Sequence, residues 1–236
     1  MEERSNRNSR EAIFESIRGA LAASKMLDAR ESELHHSSEV ERTLPAFVKH
    51  DVGSLVELFK ENLEAVDGHC IVVENRADVV QALYEIINKL QGTYLKAKRI
   101  AVSDSPEIER LVNLVDVDVD TFAIAPTASE VFNFDVGISN AQAGIAETGT
   151  LVLDSSRERN RLVSLVPPVH IAILNASSIV QTLGEALSSL QQSAEVSPIV
   201  TLVTGPSRTA DIELTLAIGV HGPQELYVIV NKNFEE

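Results

Sequence analysis

The run CIVVENRADVVQALYEIINKLQGTYLKAKRIAVS, Cys70 to Ser103, decides the fold class. Cys70 to Val73 is a short apolar run that reads as a strand, and Ala77 to Leu90 reads as a helix. Arg99 to Ser103 returns to a strand. Ser105-Pro106-Glu107 then opens a short helix, with proline at the first helical position, where its missing N–H removes no hydrogen bond. Val117 to Ala125 reads as a further strand with partial alternation. Upstream, Val52 to Val66 reads as an amphipathic helix ending near Gly68. This alternation predicts an α/β sandwich with a mainly parallel sheet.

Composition narrows what such a domain does. With 236 residues, 44% of them hydrophobic, the chain has material for a substantial core. Its formal net charge of −15 argues against nucleic acid, whose phosphates call for a basic surface. No segment approaches the roughly 20 apolar residues that a membrane-spanning helix needs. The opening MEERSNRNSR has no apolar signal-peptide core, so the expected location is cytoplasmic. There is one cysteine, Cys70, which excludes an internal disulfide and a self-contained iron–sulfur cluster. Any redox centre then belongs to a partner, and Cys70, inside an apolar run, reads as a buried structural thiol.

Neither GxGxxG nor a Walker loop occurs. Ile13, Ile17 and Leu21, four apart with Phe14 beside them, predict a helix from Arg10 to about Lys25. The charged Ser/His-rich stretch Asp28 to Glu41 reads as a mobile linker, and His35-His36 within it as a solvated pair rather than a metal site. The expected division is therefore 1–45, an N-terminal helical appendage and linker, and 46–236, the α/β domain.

The chemistry-bearing residues gather further along. Between Asp135 and Asp154 the single charge is Glu147, set between Gly144 and Gly149, where small residues either let a ligand approach the backbone or form a hairpin turn with an exposed glutamate. His170 is the one titratable group in the apolar strand VHIAIL, with a core role and an acid/base role both open. Ser177-Ser178 is expected to cap a helix to about Leu190. In VTLVTGPSRTADIELTLAIGVHG, Val200 to Gly222, a strand runs into Gly205-Pro206. Ser207 then reads as the N-cap of a buried helix reaching Gly219. Such a helix start would hold an anion, with Arg208 adding a two-pronged grip. Asp211 and Glu213 read either as first-turn acids matched to the helix dipole or as groups holding a metal or a ribose.

The segments AETGTLVL (Ala146 to Leu153), PPVHIAIL (Pro167 to Leu174), TGPSRTADIE (Thr204 to Glu213) and GVHGP (Gly219 to Pro223) resemble the signature segments of the LUD-domain family, in particular its lactate-utilisation C proteins. The resemblance runs from about Phe134 to Val230. It implies a three-layer α/β/α sandwich, a fold related to the sugar-phosphate isomerase and CoA-transferase superfamily. It also implies action with iron–sulfur partner proteins in oxidising L-lactate to pyruvate. On this reading Glu147 and His170 are the candidate proton-handling residues. Thr148, Gly149, Thr204, Gly205, Ser207, Arg208, Asp211 and Glu213 are the candidate ligand-binding residues, for a small carboxylate or an anionic cofactor. No resident metal is expected and the cofactor is left open. Two alternatives stand beside it. One is a free-standing enzyme acting on an acyl-CoA or phosphorylated metabolite, with Glu147 as nucleophile; the other is a scaffold subunit without chemistry.

Overall fold

Alternate residues of a strand face opposite sides of a sheet, and here both sides are apolar. In VHIAILN, Ile171 and Ile173 point into one core while Ala172 and Leu174 point into another. Such strands need cover on both faces, and the computed structural model of the chain shows how it is supplied. The structure describes residues 14–16, 18, 51–155, 160–191, 199–210, 216–219 and 221–233. The chain divides into Met1–Lys49 and His50–Glu236. Within the first unit, Phe14, Glu15, Ser16 and Arg18 are helical. The remainder of the expected helix, the linker and His35-His36 lie outside the described residues.

In the second unit, α1 (Val52–Ala65) leads to β1 (His69–Val73), α2 (Arg76–Gln91), β2 (Arg99–Val102), α3 (Pro106–Val112) and β3 (Thr121–Ile124). The helix starts are chemically marked: Asp51 accepts from the Ser54 amide at 2.7 Å and Asn75 from the Asp78 amide at 3.1 Å. After a short 3₁₀ turn come β4 (Val136–Ala141), β5 (Ala143–Ile145), β6 (Thr150–Asp154), α4 (Leu162–Leu165) and β7 (Val169–Asn175). β8 (Ile179–Val180), α5 (Leu183–Gln191), β9 (Val200–Val203), β10 (Arg208–Ala210), β11 (Leu216–Ile218) and β12 (Glu225–Asn231) complete it.

Six strands form one sheet in the order β1-β12-β7-β4-β2-β3, every neighbouring pair parallel. The last strand is thus inserted between the edge strand β1 and β7. One face is covered by α2 and α3, through Leu83, Ile87, Ile108 and Leu111. The other is covered by α1, through Val56, Phe59 and Leu63, together with Leu151 and Leu153 of a second sheet. That second sheet has the order β8-β5-β6-β9 and a mostly antiparallel pairing. The mixed α/β architecture with a parallel central sheet agrees with the sequence reading; the second sheet is an addition to it. Cys70 is buried in the α1-side core, and burial pushes its thiol up to about 12. Among the described residues no helix is long and apolar enough to cross a membrane.

Two expected elements differ. Ser177 and Ser178 lie in a 3₁₀ turn, Ala176–Ser178, and the helix begins only at Leu183, after β8. Asn175 takes the capping role, its side chain accepting from the Ser177 amide at 3.0 Å. More consequentially, no helix starts at Ser207. Arg208–Ala210 and Leu216–Ile218 pair as antiparallel strands, with Arg208 opposite Ile218. Ile212, Leu214, Leu216 and Ile218 recur at every second position, which is a strand period rather than a helical one. The anion site built on a helix N-terminus therefore falls, and Gly219 closes a hairpin instead of ending a helix. Asp211 and Glu213 lie outside the described residues.

Candidate functional site

The two glycine-marked turns do come together. Thr148, just before Gly149, and Thr204, just before Gly205, are joined through Thr150 in a chain of hydroxyls. Thr148 Oγ1 lies 2.7 Å from Thr150 Oγ1, which lies 2.6 Å from Thr204 Oγ1. Pairing of β6 with β9 produces this, because Leu151 opposite Val203 brings the strand ends Thr150 and Thr204 side by side. Thr148 and Thr204 are exposed and Thr150 is buried.

Both turns press on the last turn of α1. Gly149 is left-handed, φ 61°, and a Cβ there would stand 2.2 Å from the backbone nitrogen of Leu63. Gly205 has φ 83°, and its Cβ would stand 2.9 Å from the carbonyl oxygen of Val66. Asn62 Nδ2 donates to the Ala146 carbonyl at 2.8 Å and ties the Glu147 turn to the same helix. Arg208 reaches this helix end as well: its guanidinium donates to Val66 O at 3.0 Å and pairs with the Asp67 carboxylate. Backbone carbonyls left over at a helix C-terminus attract a cation in this way. The charge expected to grip an anion is thus shared with a carboxylate of the chain itself.

Backbone hydrogen bonds fix where in the sheet this junction lies. Ser207 N donates to Pro223 O at 2.8 Å, and Gln224 N to Pro168 O at 2.7 Å. Val66 and Asp67 immediately precede β1, Pro168 precedes β7, and Pro223 and Gln224 precede β12. The junction therefore lies at the amino edge of the six-stranded sheet, not at the carboxyl edge where open α/β sheets usually bind ligands. Glu147 is exposed in the 3₁₀ turn Ala146–Thr148, and its amide donates to Gln181 O at 3.2 Å.

His170 does not join this group. It is fully buried, and its Nε2 lies 2.8 Å from the hydroxyl of Ser139, itself buried. Among the described residues Nδ1 has no hydrogen-bond partner. Burial pushes the imidazole down to about 4, so it is neutral at pH 7. An enclosed neutral ring bonded to a core serine cannot exchange protons with a ligand at the surface, and the proton-handling role read for it is withdrawn.

Among the described residues no three His, Cys, Asp or Glu side chains cluster as a metal would need. The Asp67–Arg208 pair is a rim contact, with the Asp67 side chain 80% exposed. Asp67→Asn is accordingly expected to change the unfolding free energy by under about 1 kcal/mol, as for other exposed ion pairs. Asparagine also tolerates the left-handed φ of 63° at this position. Chemical denaturation checks this; a loss above about 2 kcal/mol would make the pair a structural anchor instead.

A family model described as the LUD domain matches residues 56–230. The uncharacterized protein NMB1437 of Neisseria meningitidis is 35% identical over 202 residues, covering 85% of this chain and 81% of that one. Lactate utilization protein C of Bacillus subtilis is 41% identical over 102 residues, which is 41% of this chain and 42% of that protein. The chain thus aligns with under half the length of that relative. A crystal structure of a DUF162 family protein from Deinococcus radiodurans superposes with a TM-score of 0.57 at 24% identity, over 78% of this chain and 99% of that one, a likeness of fold. A match that takes in α1, both sheets and both glycine-marked turns, with a relative alike over most of its length, leaves one grouping: the chain is a member of the LUD domain family.

Proposed function

We propose that this protein is a component of a lactate-utilising system that converts L-lactate to pyruvate together with iron–sulfur partner proteins. The observation that carries the reading is the 41% identity over 102 residues to a protein named for lactate utilization. The chain's composition is consistent with it. Oxidation of L-lactate releases two electrons and two protons, and a chain with a single cysteine, buried and with its thiol pushed up to about 12, offers those electrons no cluster of its own. The electrons pass to the partners. The protons are handled at the junction of the two turns, where Glu147 is the accessible carboxylate and the hydroxyls of Thr148 and Thr204 bind the small anion. Arg208 ties the second turn to the end of α1, on which the first turn also packs.

A strain deleted for the gene is expected to lose growth on L-lactate as sole carbon source and to regain it with the wild-type gene. Complementation with Glu147→Gln is expected to restore lactate oxidation at least about a hundredfold less well, the lower end of the usual scale for removing a proton-handling group. Undiminished growth of the deletion strain would remove the lactate reading. Full complementation by Glu147→Gln would remove only the role given to that residue.

A further inference from the structure

At the carboxyl edge of the six-stranded sheet, away from the junction of the turns, lies a cleft of about 410 Å³ lined by Asp104, Ala125, Pro126, Asn160, Arg161 and Leu162 among others. Asp104 follows β2 and Ala125 follows β3, so the cleft opens at the ends of adjacent parallel strands. This is the position from which open α/β sheets address small ligands, and the volume lies in the range of small-molecule sites.

The walls are held in place. The Ala125 amide donates to Val102 O at 2.8 Å and extends the sheet ladder by one step. The chain then turns sharply, with Ala125 at φ 47°, a left-handed conformation rare for a residue with a side chain. Glu130 caps the following turn, accepting from Thr127 N at 2.9 Å and Thr127 Oγ1 at 2.7 Å. Asn160 Nδ2 donates to Pro126 O at 2.6 Å and clamps the two walls together. Below them Ala101, Val131, Phe134 and Val163 form a small closed core.

The polar groups are of complementary kinds. Arg161 is exposed, and among the described residues no hydrogen-bond or ion-pair partner meets its guanidinium. Five of the other described cations stand otherwise: Lys60, Lys98, Arg99, Arg208 and Lys232 are each paired with a carboxylate. Asp104 supplies an acceptor in the same cleft. A planar guanidinium suits a carboxylate or phosphate, and an aspartate suits a hydroxyl donor.

We propose that this cleft is a second ligand site, taking a small organic anion that also carries a hydroxyl group. Arg161 holds the anionic end and Asp104 accepts from the hydroxyl. Asn160 keeps the rim closed. The assignment does not depend on the function proposed for the junction, since it rests on the cleft alone.

Amide chemical shifts of the full-length chain, recorded during titration with L-lactate, glycerol 3-phosphate, pyruvate and inorganic phosphate, test it. L-lactate or glycerol 3-phosphate is expected to give saturable shifts at Asp104, Ala125, Asn160 and Arg161. Pyruvate and inorganic phosphate, which lack the alcohol, are expected to bind more weakly. Arg161→Gln is expected to weaken the responding probe at least about tenfold, the scale of a lost charge-assisted contact. Asp104→Asn is expected to narrow the preference for the hydroxylated probe. Shifts at these residues from glycerol 3-phosphate alone would uphold the cleft while leaving lactate to the junction. The proposal is overturned if neither hydroxylated probe shifts them, or if both variants titrate like the parent.

Discussion

Gly149→Ala is expected to lower the unfolding free energy by roughly 2–5 kcal/mol, combining the penalty of a left-handed residue with that of overpacking. The two contributions have separate origins. At φ 61° any Cβ crowds its own backbone. The added carbon would also stand 2.2 Å from Leu63 N, 2.6 Å from its Cα and 2.7 Å from the Asn62 carbonyl carbon. All three are main-chain atoms within α1, so relief requires shifting the helix, and with it Phe59 and Leu63, both fully buried under the sheet. Urea unfolding should show the midpoint falling with little change in slope. Gly184→Ala is the matched control. That residue lies in the first turn of α5, its nearest neighbour is the Thr182 hydroxyl at 3.8 Å, and alanine there is expected to be neutral or to stabilise by up to about 1 kcal/mol. If the two variants unfold alike, the close approach of the turn to α1 is not what holds this region together.

The second large effect is acid sensitivity arising from His170. Its ordinary value of 6.5 is pushed to about 4 by burial, so between those pH values the unfolded chain binds a proton that the folded chain does not. Stability is therefore fully present above pH 6.5 and falls as the pH drops, levelling off below pH 4. At 1.36 kcal/mol per unit the total is on the order of 3 kcal/mol. Asp135 belongs to a lower window. Burial pulls its carboxyl upward, but hydrogen bonds from Arg99 and Lys98 outweigh this and hold it below its usual 3.8. Its contribution is lost only as the pH falls through that lower range. Relief of repulsion among the chain's many acids acts on parent and variant alike. The difference in stability between the parent and His170→Gln should therefore vary with pH between 7 and 4, the parent losing more as acid is added. Parallel curves would mean that His170 takes up its proton while folded.

The alternation from Cys70 to Ser103 was enough to establish the parallel sheet, because such strands are buried on both faces and show as short apolar runs of β-branched residues. The helix starts at Val52 and Pro106 were read in place and the start at Arg76 one residue late, at Ala77, from the apolar stripes and, at Pro106, from the proline. The segment from Ser207 to Gly219 was misread because a Gly-Pro-Ser start imitates a helix cap, although apolar residues at every second position mark a strand pairing with its own return. His170 carried no local sign of its environment. One imidazole in an apolar strand looks the same whether it opens to a cleft or meets Ser139 from a neighbouring strand.

The sequence by itself determined the layer architecture, the family and the two glycine-marked turns, since each is encoded in residues adjacent along the chain. Only the tertiary structure decided that those turns meet, because the hydroxyls of Thr150 and Thr204 are neighbours through pairing of β6 with β9. It likewise decided that they meet over the end of α1 at the amino edge, with Arg208 held by Asp67, and that a separate cleft opens at the carboxyl edge beside Arg161. The physical reason is common to all of these. Burial, charge pairing and free volume are set by elements far apart in the chain, and no local pattern records which of them come to share a surface.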